Sequence, residues 1–225
     1  MKKEQVVTTI VMLVISVVLL IGFTIAWYTS DNATVGTKGI RMTAAGSSEF
    51  KIALEPGGAD IGELPEDKAD VSVTVQPDSS LMAPGSSGKI TFYITPKSSQ
   101  VTSCTIETTI QLQERGNDSL WYPDATLEDP VSALNNDQKA MVEIAISHID
   151  FYHDELLTNK VTADNPLKMV WSAGDQGEKQ ADIYWKWHYN TPDATKKSVE
   201  AYDAEDFQFG QKIKKIRFWF EFIKG

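Results

Sequence analysis

His148, His153 and His188 are the residues through which a metal-dependent hydrolase would act. Catalytic zinc needs three protein ligands around one ion and an acid beside its water. No His-Glu-x-x-His sequence occurs, and the acids nearest His153 are Asp154 and Glu155. Read as one strand, His148 and His153 differ in parity and face opposite sides. A zinc site would have to gather partners from distant loops, so surface or half-buried histidines are the simpler reading. The acid pairs Glu66-Asp67, Glu128-Asp129 and Glu205-Asp206 are candidate calcium ligands, as carboxylates on loops. None follows the EF-hand order, and such pairs ordinarily serve solubility. Calcium at Glu128, Asp129, Glu205 and Asp206 is the one cofactor kept in view. Nothing sets two carboxylates at glycosidase separation, and no phosphate loop or nucleophile elbow is found. The expectation is a protein without catalysis.

Aromatic side chains give a second kind of chemistry. Tyr184, Trp219 and Trp121 are candidates for a partner surface, as stacking platforms for a glycan. The alternative is a second core layer, or a face covered by a helix. Cys104 lies among apolar strand residues and reads as a small buried hydrophobe. A single cysteine excludes an intramolecular disulfide and a cysteine-based zinc cluster.

The elements that must carry these residues have a period of two. Ile40 and Met42; Phe50, Ile52 and Leu54; Val71, Val73 and Val75; and Ile90, Phe92 and Ile94 each alternate with polar or small neighbours. Cys104, Ile106, Ile110 and Leu112 share one parity, and Ile183, Trp185, Trp187 and Tyr189 share another. Ile216, Phe218, Phe220 and Phe222 close the series, and shorter runs fall at 148–152 and 167–171. Such runs, separated by turns such as Glu55-Pro56-Gly57-Gly58 and Ala83-Pro84-Gly85, describe antiparallel strands with one buried face. Asp129-Pro130 opens a stretch of good helix formers, predicting one helix within 131–146 capped by Asp129. The fold expected is mainly β, a two-layer antiparallel sandwich with one inserted helix over residues 48–225. Half of the aromatic residues fall between Tyr184 and Phe222. Pairing of the last two strands would stack Trp185 and Trp187 on Phe218 and Phe220.

The compartment is set at the other end. Val6 to Trp27 is a run of 22 residues without a charge. As a helix it spans roughly 33 Å, enough for a hydrocarbon core. Val6, Leu13, Leu20 and Phe23 belong to this apolar run, and Trp27 and Tyr28 sit at the outer headgroup level. Lys2 and Lys3 before it place the N-terminus in the cytoplasm and the remainder outside. Residues 1–30 are therefore a membrane anchor or an export signal cut after Ala26. The length favours the anchor, and both readings export the chain. Residues 31–47 form a polar tether or a first strand. The formal net charge of −10 over 225 residues argues against a nucleic-acid partner.

Ala26-Trp27-Tyr28-Thr29-Ser30-Asp31 closes the export segment, and Asn32 to Ile40 leads into the first strand. Leu81-Met82-Ala83-Pro84-Gly85 precedes another strand, and Ile213 to Phe222 alternates at the C-terminus. With these features the chain resembles the TasA/camelysin family of Gram-positive surface proteins, whose signals are cut by a SipW-type peptidase. The run Ile183-Tyr184-Trp185-Lys186-Trp187, followed by Tyr202-Asp203-Ala204-Glu205-Asp206, resembles uncharacterised surface proteins with such signals. The resemblance covers about a third of the chain. It implies a jelly-roll sandwich and biofilm-matrix fibres, in which one subunit's N-terminal strand completes the next subunit's sheet. The expected function is an exported, non-catalytic surface or matrix subunit. It would sit at the membrane's outer face or be secreted, and pair with copies of itself or related subunits through β-strands. The alternative is an anchored adhesin that grips glycan through exposed aromatics.

Overall fold

The computed structural model describes residues 49–62, 71–76, 83–117, 119–127, 129–188 and 198–225. All lie in the unit Thr34–Gly225. The proposed anchor and its residues Val6, Leu13, Leu20, Phe23, Ala26, Trp27 and Tyr28 lie outside the described residues, as do the tether and Glu128. Among the described residues no helix is long and apolar enough to cross a membrane.

The chain is mainly β. In order it forms β1 (Phe50–Ala53), β2 (Val71–Val75), β3 (Ser87–Pro96), β4 (Ser103–Glu114), α1 (Asn136–His148), β5 (Ile149–Tyr152), β6 (Leu167–Val170), β7 (Lys179–Trp187), α2 (Val199–Lys212) and β8 (Ile213–Lys224). Two antiparallel four-stranded sheets result, ordered β1-β3-β7-β5 and β2-β8-β4-β6. Odd strands build one sheet and even strands the other, so each connection crosses from layer to layer. The alternating residues meet between the layers. Phe92 of the first sheet packs edge-on against Phe220 and Phe222 of the second, with ring centroids 5.1 and 5.2 Å apart. Each such side chain contributes about 1.5–3 kcal/mol by leaving water.

Gly88 pairs with Trp185 across the β3–β7 ladder. A Cβ at Gly88 would stand 2.7 Å from the indole Nε1, so the absence of a side chain there is what lets the tryptophan lie flat.

Two expectations need correcting. The last two strands do not pair. β8 runs between β2 and β4, whereas β7 lies between β3 and β5 in the opposite sheet. Trp185 still meets Phe218, at 5.5 Å, but across the core rather than along a ladder. Trp187 packs on Phe209, not on Phe220. The reason is α2, a second helix where no helix was expected, which carries the chain from one layer to the other. Its start has a sequence mark: Ser198 accepts a hydrogen bond from Ala201 N and caps the first turn. Its buried residues, Tyr202 and Phe209, stand seven apart, two helical turns.

The first helix starts later than 131. Asp129 caps a turn, accepting from the amides of Val131 and Ser132. Asn135 is the helix cap and forms a reciprocal capping box with Gln138. The helix runs two residues past 146 and passes straight into β5 at Ile149.

Candidate functional site

β4 has twelve residues and its outer neighbour β6 has four, so β6 covers β4 only from Ser103 to Ile106. At the far end Leu112 exchanges both backbone hydrogen bonds with Tyr122. Outward backbone groups recur every second residue, so those of Thr108 and Ile110 fall between these two partners. Among the described residues neither has a backbone partner on that side. Among the described residues this is an open length of edge on the longest ladder, that of β4 with β8.

A cavity of about 420 Å³ opens beside it. Thr108 and Ile110 form one wall, Val142 and Ile146 of α1 another, and Phe151 of β5 a third, with Val131 at the loop side. The size and apolar lining are those of a binding pocket. Ile146 is 59 % exposed and Val131 42 %, which leaves two large apolar groups in water at the rim. The buried hydroxyl of Thr108 has no hydrogen-bond partner among the described residues. An unmade bond of this kind costs about 1–3 kcal/mol, which an incoming polar group would recover.

One polar pair stands in the cavity wall. Lys160 Nζ meets Asp150 Oδ1 at 2.6 Å, and His188 Nε2 lies 3.3 Å from the other carboxylate oxygen. Burial would raise the Asp150 carboxyl, but hydrogen bonds from His188 and Lys160 outweigh it and hold the group below the ordinary aspartate value. Tyr152 shares this network, its hydroxyl 2.9 Å from His188 Nε2. Burial and the Asp150 charge push its phenol up to about 12. Lys160 and Val161 also continue the first sheet: Val161 N donates to Phe151 O, and His153 N donates to Asn159 O.

Behind α1 lies a fully buried histidine. His148 Nδ1 is 2.7 Å from Asp206 Oδ1, and Nε2 is 2.9 Å from Glu205 Oε2. Both ring nitrogens are thus held by carboxyl groups of α2. The imidazole stacks on Tyr202 at 3.9 Å, and Tyr202 Oη donates to Ser147 O. Trp187 Nε1 donates to Asp206 Oδ1 at 3.2 Å. The cluster ties α2 to α1 and β7.

The candidates read from sequence are therefore dispersed. Glu205 and Asp206 lie on a helix rather than in a loop and both bond His148. Asp129 is exposed in its turn. No group of three or more His, Cys, Asp or Glu side chains is arranged to hold a metal among the described residues. His148 ends a helix rather than lying in a strand, and His153 reaches Asn165 O. Tyr184 belongs to β7 and Trp219 to β8, in different sheets, so they do not share a face. Trp219 is buried, its indole N–H unpartnered, and Trp121 stacks on Arg217 at 4.3 Å. Cys104 is fully buried.

The open edge was missed in the sequence, although a mark of it is present. Thr108 breaks the apolar row from Cys104 to Leu112 with a hydroxyl where a hydrocarbon is expected. Comparison with family models, curated proteins and solved structures finds no match.

Proposed function

We propose that this protein is an exported, non-catalytic subunit of a cell-surface or matrix assembly, and that copies associate by adding a β-strand to an open sheet edge. One observation carries the reading: among the described residues, the outward backbone groups of Thr108 and Ile110 have no backbone partner, and they lie beside an apolar cavity. Unpaired edges are templates for an added strand, and natural proteins ordinarily cover them. Strand order supports a jelly roll. With residues 159–161 counted as a short strand outside β5, the sheets read β2-β8-β4-β6 and β3-β7-β5-(159–161), with β1 added beside β3. That is the order of two wrapped Greek keys. The uncharged run at 6–27 supports export. The glycan-binding alternative has less support, because Tyr184 and Trp219 lie in different sheets and Trp121 lies outside both.

The test is sedimentation and negative-stain microscopy of the protein recovered from cells, with its N-terminal residue determined. Ordered polymers that vanish on Ile146→Lys, a change at an exposed site, are the expected result. Monomers at high concentration would refute the proposal.

A further inference from the structure

The charges around the cavity narrow what it accepts. Beside three of the wall residues stand Asp124, which follows Pro123, Asp129, which precedes Pro130, and Glu143, which follows Val142. All three acids are exposed. Asp124 and Asp129 accept hydrogen bonds only from neutral groups in the contacts seen, the amide and hydroxyl of Thr126 and the amides of Val131 and Ser132. Of the nearby cations, Lys160 is paired to Asp150, and Lys139 stands one turn before Glu143 on α1. The wall is apolar at its centre, three exposed acids adjoin it in sequence, and Arg217 is held near Pro123 through Gln111.

We infer that the cavity is the docking site of an extended, basic segment of a partner protein. Its backbone adds to β4 at Thr108 and Ile110, an apolar side chain enters the cavity, and its Lys or Arg residues face Asp124, Asp129 and Glu143. This rests on the strand-addition reading above and adds the chemistry of the incoming strand. Side chains two apart in a strand are about 6.6 Å apart, the same spacing as Thr108 and Ile110, so one alternating segment meets both. A polar atom on the segment supplies the partner that Thr108 Oγ1 lacks. A segment with acidic flanks meets repulsion at the same rim.

The experiment measures fluorescence anisotropy of three labelled hexapeptides with the full chain in detergent. The first is Lys-Ile-Arg-Val-Lys-Thr, the second has Glu in place of each basic residue, and the third is the first with N-methylated amides. The first is expected to bind saturably. The acidic and N-methylated forms are expected to be weaker by about tenfold or more at low salt. Ile146→Lys abolishes binding, and Asp124→Asn/Asp129→Asn/Glu143→Gln weakens it about tenfold while keeping each side chain's acceptor oxygen. Equal binding of the N-methylated or the acidic form overturns the inference, as does failure of the first peptide to bind. Assembly is measured alongside. If the chain polymerises and the triple variant does so equally, the inference falls while strand addition stands. If the peptide binds and the chain never polymerises, the assembly reading falls while the docking site stands.

Discussion

Replacing His148 by leucine tests the buried clasp between the two helices. The side chain is fully buried, and leucine refills much of its volume while removing both ring nitrogens. Asp206 is left 6 % exposed, with Trp187 Nε1 as its remaining donor in this cluster. Glu205 is 26 % exposed and can turn toward water. Removing the partner of a buried carboxyl group costs about 3–5 kcal/mol, because that group stays buried without compensation. The lost stack on Tyr202 adds about 0.5–1.5 kcal/mol, partly returned by leucine packing. The expected destabilisation is therefore about 3–5 kcal/mol, read from urea unfolding followed by tryptophan fluorescence at constant m-value. A double-mutant cycle isolates the interaction. Asp206→Asn should destabilise the parent chain and be neutral or stabilising beside His148→Leu, with a coupling above about 1.5 kcal/mol. A cost below about 1 kcal/mol for His148→Leu, or additive effects, would show that the histidine does not hold α2.

Three further outcomes follow from the packing and the ion pairs. Gly88→Ala sets a methyl against the Trp185 indole and should cost about 1–3 kcal/mol, seen as a lower urea midpoint with altered tryptophan emission. A chain ending at Gly210 lacks β8, the strand that pairs both β2 and β4, and should show neither sheet circular dichroism nor a cooperative melt. Acid should weaken the fold through Asp150 and Asp182. Burial would raise both carboxyls. Hydrogen bonds from His188 and Lys160 to the first, and from Gln180, Lys89 and Thr91 to the second, hold them below the ordinary value of 3.8. A depressed carboxylate stabilises the fold above its unfolded value, and that contribution is lost as pH falls through its folded value. The gap in urea midpoint between the parent chain and Asp150→Asn should therefore be wide at pH 7 and narrow below pH 3.8. An unchanged gap would remove the ion pair from the stability of the fold.

Strands were legible where alternation was strict. Ile90 to Ile94 buries every second residue as its parity selects, and Phe50, Ile52, Phe218, Phe220 and Phe222 turn inward as expected, although Ala53 and Trp219 on the other parity are buried too. The start of α1 was misplaced because Asp129-Pro130 offers a plausible cap, and only the reciprocal bond with Gln138 favours Asn135. Missing α2 had a different cause. Its buried stripe has two residues, and apolar runs on both sides suggested one continuous β hairpin.

What the amino-acid order determined by itself is local: which side of each strand is apolar, where turns fall, and that a long uncharged run precedes an acidic β domain. These follow from side-chain parity and from transfer of apolar surface out of water, and neither needs a partner strand. Tertiary structure alone decided which strands share a sheet, and that His148 would find its carboxylates 57 and 58 residues away. It also decided that β6 would stop short and leave Thr108 and Ile110 open beside a cavity. Strand pairing is a choice among distant segments with similar patterns, and it is settled by how the two layers fill the space between them.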